Sequence, residues 1–448
     1  MLITNAKVIS WKEDQEILEG YGILVEDGKV VELGPARDME QTYPEADRVD
    51  AGGQYVMPGN ICAHTHFYGA FARGMGIPGD APKDFPEILK KLWWPLDLAL
   101  DEDGVRSSAL VFAVDAVKNG TTTLFDHHAS PQFIDGSLDV IGEVIEDAGL
   151  RAALCYEVTD RNGEEDVQPG IRENLRMIQK TRDNDHLSAA FGLHASLTLS
   201  EETLAACREA AGEEVGFHIH VGEHQSDEYD SLKRSGMRVV DRLQKHGILG
   251  PKTILAHGVH IDMEEARLIA DSGTWLTHQP RSNMNNAVGV AAVEDFLRLG
   301  IPVGLGTDGF YHAMWEEWKT AYFLHKVTHL DPRRLNAMDL VQMGVHNNAA
   351  LAEAYFPGLK MGRIEPGAEA DLIFVDYHPY TPLSAGNLPW QIVFGFQESM
   401  ITSTMVAGEF LMRDRKLLTL DEEAIAAEAR ELAPDIWSRY ENFVGRYD

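Results

Sequence analysis

From Val56 to Asp308 the chain repeats one pattern: a short apolar run follows an amphipathic helical stretch. No other feature limits the fold as strongly. The run into His64 comes first. Thr121–Asp126 follows a helix around Val105–Lys118, and Ala152–Tyr156 follows one around Leu138–Asp147. Ala189–His194 follows Arg172–Lys180, and Val215–His220 follows Glu201–Ala211. Thr253–His257 follows Ser231–Lys245, Thr274–His278 follows Glu264–Asp271, and Pro302–Asp308 follows Val293–Leu299. Strand and helix alternating eight times over about 250 residues predict an α/β fold, a (β/α)8 TIM barrel. The alternative is an open doubly wound sheet. Its first strand would run into a glycine-rich phosphate turn, whereas here the first run ends in histidines.

The flanks read differently. Gly22–Gly34 is a hairpin with Asp27-Gly28 as its turn, and Ala407-Gly408 joins two more short strands. The strands at the two ends have no core of their own, so we expect them to pair. The 448 residues exceed one compact core. They divide into a small β-sandwich domain from 1–57 plus 360–420, a barrel over 58–359, and a helical tail over 421–448.

Barrel catalysis sits where the C-terminal ends of the strands ring one cavity. The first strand ends at His64 and His66, whose i, i+2 spacing puts both rings on one face. The fifth ends at His220, with Glu223 just beyond. The sixth ends at His257 and the eighth at Asp308. Three imidazoles and a carboxylate suit a catalytic divalent metal, Zn²⁺ foremost, although Fe²⁺ or Mn²⁺ would be accepted. Such an ion lowers the pKa of a coordinated water towards 7, which supplies hydroxide at neutral pH. Asp308 is then the natural acceptor of that water's proton, and Glu223 is close enough to deliver a proton to substrate. His257 could ligate a second metal or polarise a developing oxyanion. A two-metal site usually needs a bridging carboxylate, often a carboxylated lysine at the fourth strand's end. That position carries His194, so one metal is expected.

His64-Thr65-His66, Ile219-His220-Val221-Gly222-Glu223, Leu255-Ala256-His257-Gly258-Val259-His260 and Gly306-Thr307-Asp308-Gly309 together resemble the amidohydrolase superfamily. The likeness is to its one-metal aminohydrolase branch, which deaminates guanine, adenosine derivatives and triazines. The resemblance implies that His64, His66, His220 and Asp308 bind the metal, with Glu223 as proton shuttle and His257 holding the water. Phe125–Pro131 and Ser282–Gly289 further resemble the SsnA subgroup of aminohydrolases. The family usually has His-Asn-Pro after the seventh strand. Here the loop reads His278-Gln279-Pro280, with Arg281 adding a charge.

For substrate contacts the sequence offers Arg73 in the long loop after the first strand, His194, and one of the adjacent pair His127 and His128, of which we take His128. Trp93 and Trp94 could wall the cavity. His218, on the same face as His220 but deeper, reads as a buried hydrogen-bonded neighbour. The expected reaction is a deamination of a small amino-substituted heterocycle, a cyclic amidine, with release of ammonia. A chlorohydrolase or amide hydrolase would use the same site, and a non-enzymatic scaffold would have eroded ligands.

The net charge of −32 argues against nucleic acid and anionic membrane as partners, because both need clustered cations. Three widely spaced cysteines, Cys62, Cys155 and Cys207, suggest no disulfide framework and fit the cytoplasm. No secretory signal or apolar span is expected. The resemblance also implies self-association into a homo-oligomer.

Overall fold

A computed structural model describes residues 1–12 and 17–447. Residues 13–16 and 448 belong to the expected end domain and tail, and they lie outside the described residues. Eight parallel strands form the centre: β1 (Asn60–Thr65), β2 (Thr121–Asp126), β3 (Arg151–Leu154), β4 (Phe191–Ala195), β5 (Phe217–Val221), β6 (Ile254–His257), β7 (Trp275–His278) and β8 (Val303–Leu305). They pair in sequence order as two ladders, β1 to β3 and β4 to β8. Leu187–Ala189 pairs with β3 just before β4 begins, which joins the ladders. Thr65 bridges Asp308 in parallel, and the amides of Thr307 and Asp308 donate to the His64 carbonyl at 2.9 and 3.1 Å, so β8 returns to β1. Only glycine fits at position 306, where an added Cβ would lie 2.6 Å from that same carbonyl oxygen. The (β/α)8 barrel is therefore present, and its strand ends share one rim.

The helices between the strands begin and end on ordinary signals. Ser200 caps Glu201–Ala211 by accepting from the Thr203 amide, and Asp262 forms a capping box with Glu265 at the start of Met263–Ser272. The single helix expected over Ser231–Lys245 is two, Gln225–Ser235 and Val239–Lys245. Gly236, at φ +73°, ends the first in the left-handed conformation that glycine adopts freely.

The apolar run before His64 is also two strands. Tyr55–Pro58 pairs with Leu372–Val375 in a different sheet, and the barrel strand starts only at Asn60. The change of partner occurs at Gly59, whose amide donates to Asp371 while the next amide donates to Gly120. That second sheet joins both chain ends. Its order is Lys416–Leu417, Glu409–Arg413, Ile401–Val406, Leu372–Val375, Tyr55–Pro58, Leu2–Ile9, Ile17–Glu26 and Lys29–Pro35, with Arg48–Asp50 beside Leu2–Ile9. Ile3, Val8, Ile23, Val56, Leu372 and Phe374 fill its own apolar core. A buried Arg151 at the start of β3 binds Asp371 and Glu369 of this part, each at 3.0 Å. No helix among the described residues is long and apolar enough to cross a membrane.

Candidate active site

The rim collects the predicted side chains. His66 Nε2 lies 2.9 Å from Asp308 Oδ1 and 3.2 Å from His220 Nε2. His64 Nε2 is 3.7 Å from the same carboxylate oxygen. His257 Nε2 sits 3.4 Å from Glu223 and 3.8 Å from Asp308. His64, His220, His257 and Asp308 each offer a ligand atom, all within 4.8 Å of one another. Positions scattered over the sequence thus meet at one point.

The groups behind these rings decide which nitrogen faces the point. His66 Nδ1 donates to the His127 carbonyl at 2.5 Å, His220 Nδ1 to the His194 carbonyl at 2.8 Å, and His257 Nδ1 to Asn283 Oδ1 at 2.9 Å. His64 Nδ1 pairs with His218 Nε2 at 2.8 Å, which makes His218 the buried neighbour expected of it. With each Nδ1 so engaged, each Nε2 faces the shared space, the nitrogen that a metal would take on displacing any proton there. His64 Nε2 and His257 Nε2 are buried and have no hydrogen-bond partner. Unpartnered buried nitrogens are costly, and a cation between them removes that cost. Three imidazoles and a carboxylate also form the donor set that a divalent ion accepts. The residues therefore fit a divalent metal.

Two of these positions hold strained backbone. His257 and Asp308 have φ of +77° and +55°, a region that residues with a side chain seldom occupy. Both sit where the chain must leave its strand and turn a functional group inward.

Electrostatics separate the carboxyl groups. Burial opposes the Asp308 carboxylate, yet the adjoining His64 and His66 imidazoles hold it well below the usual range. Ser282 donates its hydroxyl to Asp308 Oδ2. Burial, then the Asp308 charge, pushes Glu223 well above the ordinary carboxyl range. Burial also holds His64 down to about 3 and keeps His220 well below its usual value. For His66 burial acts in the same direction, but Asp308 and Glu157 outweigh it and the imidazole is raised to about 9.

A second cluster, His66, His127, Glu157 and His220, adjoins the first. Both His127 nitrogens are already used: Nδ1 meets Glu157 at 3.0 Å, and Nε2 meets the Leu193 and His218 carbonyls at 3.0 Å each. It props the site from below, and neither nitrogen is free to ligate.

Beside the ligands lies a cavity of about 400 Å³. Trp93, Trp94, Phe85, Leu89, Phe310 and Tyr311 supply apolar wall, and Glu223, Asp97, Glu157 and His194 supply polar groups. His194 accordingly faces the cavity, with Nδ1 held by Thr198 at 2.6 Å. Arg73 reaches the cavity edge, but its guanidinium pairs with Asp115 and stacks on Phe112. His128 is buried behind Tyr68, against Tyr156 and Ser130, and is not on the cavity wall. Arg281 turns to Glu317 and Glu316. Sequence reasoning missed Ser282 and Asn283, the buried partners of Asp308 and His257. The signals were their position just past the seventh strand and their place at the head of the Ser282–Gly289 stretch.

Residues 55–411 match the Amidohydrolase family. The 5'-deoxyadenosine deaminase of Methanosarcina barkeri is 31% identical over 447 residues, covering 98% of this chain and 99% of the relative. The chain belongs to the amidohydrolase family. Among solved structures, a zinc-bound adenosine deaminase from Xanthomonas campestris superposes with a TM-score of 0.85 at 24% identity, covering 98% of both chains. A zinc-bound atrazine chlorohydrolase from Arthrobacter aurescens superposes at 0.82 with 23% identity, over 97% of this chain and all of the other. The metal-fitting rim of this amidohydrolase lies at the C-terminal ends of the strands.

Proposed function

We propose that this amidohydrolase is a zinc-dependent aminohydrolase that releases ammonia from an adenosine-like nucleoside. Water adds at the amino-bearing ring carbon, the C–N bond to the amino group breaks, and a ring carbonyl and ammonia result. His64, His66, His220 and Asp308 would hold the ion, which when bound supplies Lewis acidity that brings water within reach of deprotonation at neutral pH.

The rest is work for the chain's own groups. Asp308, held ionised, accepts the proton that the attacking water loses and passes it to the departing amino group, which leaves as ammonia, while the proton still on the added oxygen returns to Glu223 as the ring carbonyl forms. Glu223, held protonated by burial, donates to the ring nitrogen beside the reacting carbon, so that the ring can accept the electron pair. Asn286 lies 3.4 Å from its other oxygen and orients it. His257, pinned by Asn283 with Nε2 towards Glu223 and Asp308, accepts a hydrogen bond from the attacking oxygen. His194 and Asp97 contact the part of the substrate that does not react, and the tryptophans exclude water.

The observation that carries this reading is the pair of carboxyl groups driven in opposite directions at one metal-fitting rim, an acid and a base side by side. The deaminase relative at 31% identity supports the choice of amine over other leaving groups. The barrel over 58–359 carries the chemistry, while 1–57 with 360–420 forms the supporting domain and 421–448 the tail. Three buried free thiols suit the cytoplasm. The test is to load the protein with zinc and assay ammonia from 5'-deoxyadenosine, adenosine, guanine and aminotriazines. Ammonia from the adenosines supports the reading. Chloride from a chlorotriazine with no ammonia from any amine would replace it.

A further inference from the structure

The apolar side of the cavity made by Phe85, Leu89, Trp93 and Trp94 is not built by the barrel strands. It comes from residues 67–101, inserted between β1 and the helix Glu102–Lys118, which hold the short turn Phe67–Ala72 and a continuous helical run over 85–99 with a π-helical stretch, Leu89–Trp93, at its middle. The ends of Phe67–Ala72 and of the 85–99 run leave carbonyls with no partner within the helix, and Pro95 has no amide to donate to the Lys91 carbonyl four residues before it. Those carbonyls are taken by the far end of the chain. From the C-terminal helix (Glu422–Phe443), Trp437 Nε1 donates to the Phe71 carbonyl at 2.9 Å. Tyr440 donates its hydroxyl to the Lys91 carbonyl at 2.5 Å, and Arg439 Nε donates to the Ala99 carbonyl at 2.8 Å. Arg439 also pairs with Asp101 at 3.0 Å, and Ile436 and Tyr440 are buried.

The contact reaches the cavity itself. Beyond the helix, the Tyr447 ring meets the Trp94 ring edge-on at 5.1 Å, and its hydroxyl donates to Asn162 at 2.5 Å. Trp94 lines the cavity and also packs by its ring against His194 and the Arg161 guanidinium. Arg161 in turn pairs with Asp97, one helical turn from Trp94.

We propose that the C-terminal segment is a brace for the substrate wall, and that Tyr440 and Tyr447 are positioning residues acting through Lys91 and Trp94. The inference goes beyond the proposed deamination, because it concerns how the wall is held whatever leaving group departs. Trp94 and Asp97 face the unreactive part of the substrate. Loosening them weakens ground state and transition state alike, which raises KM and leaves kcat in place.

The experiment is backbone amide exchange on zinc-loaded wild type, Tyr447→Ala and the milder Tyr440→Phe, with KM and kcat for 5'-deoxyadenosine measured alongside. Tyr447→Ala should speed exchange in 85–99 and raise KM by about tenfold, since an aromatic pair is worth roughly one factor of ten at most. Exchange in β5 and β6, zinc content and kcat should stay at wild-type values. Tyr440→Phe should shift the same amides and KM in the same direction by less. Unchanged exchange in 85–99, or a rise spread evenly over the barrel, overturns the brace. A rise confined to 85–99 with KM unmoved overturns the positioning role. If no substrate yields ammonia, the proposed function fails, and the exchange pattern still decides the brace.

Discussion

Two buried clusters of charge sit at opposite ends of the same strands. At the entry of β3, Arg151 is enclosed with Asp371 and Glu369, and its guanidinium also donates to the Asp185 carbonyl. At the exit of the strands, His64, His66, His220, His257 and Asp308 are enclosed as well, yet two of the imidazole nitrogens have no partner. Burial is the same; satisfaction differs. The entry cluster is neutralised by the chain itself, with Lys29 3.2 Å from the remaining Glu369 oxygen, and it ties the end sheet to the barrel. The exit cluster is pre-arranged by its outer partners and completed only by something from outside. Buried charge alone does not mark a site; buried, oriented and unfinished charge does.

The difference breaks most sharply under Glu223→Gln. That change keeps size and hydrogen bonding but removes the donated proton, and it should lower kcat by about 10²- to 10⁴-fold. Thermal unfolding should move little, because the group is already held neutral. A midpoint that falls in step with activity would place Glu223 in the structural class instead.

Arg151→Ala tests the opposite end. Removing the guanidinium leaves Asp371 buried with the Ala407 amide and Glu369 with Lys29 alone, at a cost of about 3–5 kcal/mol, read from denaturant unfolding. Activity per folded molecule should hold within about twofold, a negligible change in barrier. Loss of activity in the folded fraction would show that the two ends are coupled.

The exit cluster was legible in the sequence because its members are strand-terminal, and strand ends follow from apolar periodicity. What lies behind them was not. His218 behind His64 could be inferred from the i, i+2 spacing, but Asn283 and Ser282 come from the six-residue helix Pro280–Asn285, whose direction no pattern gives. Arg73 and Arg281 read as free cations because their partners, Asp115 and Glu317, stand 42 and 36 residues away. The entry cluster was invisible for the same reason, since Arg151 meets Asp371 across 220 positions. Tyr55–Pro58 looked like the start of β1 because an apolar run does not say which sheet it joins. The tail was legible as a helix and silent as to what it covers.

Chelation should sharpen the contrast at a smaller scale. An ion that binds only the native state adds about 4 kcal/mol at a thousandfold excess over its Kd. Stripping the metal should therefore abolish ammonia release and lower the unfolding midpoint by several degrees, and added zinc should restore both. The Arg151→Ala protein should lose the same increment on chelation, because distant sites with no shared partner add independently. A smaller loss would mean that the entry cluster feels the ion.

The smallest effect tests the burial of an imidazole that adjoins the exit cluster through Thr65 without belonging to it. His312 is wholly buried between Phe67 and Phe112, with Nε2 at Thr65 and Nδ1 at the Phe112 carbonyl. Burial, against the pull of that carbonyl, lowers it to about 3. Unfolded, it takes a proton near pH 6.5. Between those values the unfolded chain binds one proton more than the native chain, so stability rises with pH and is lost as pH falls from 6.5 towards 3. The slope from one such group is about 1.4 kcal/mol per pH unit. His312→Asn should flatten the stability profile by that amount over pH 4–6 and leave it unchanged above 7, apart from a constant offset. A parallel profile would mean that His312 is already protonated in the native protein, and that its burial is met by charge rather than by neutrality.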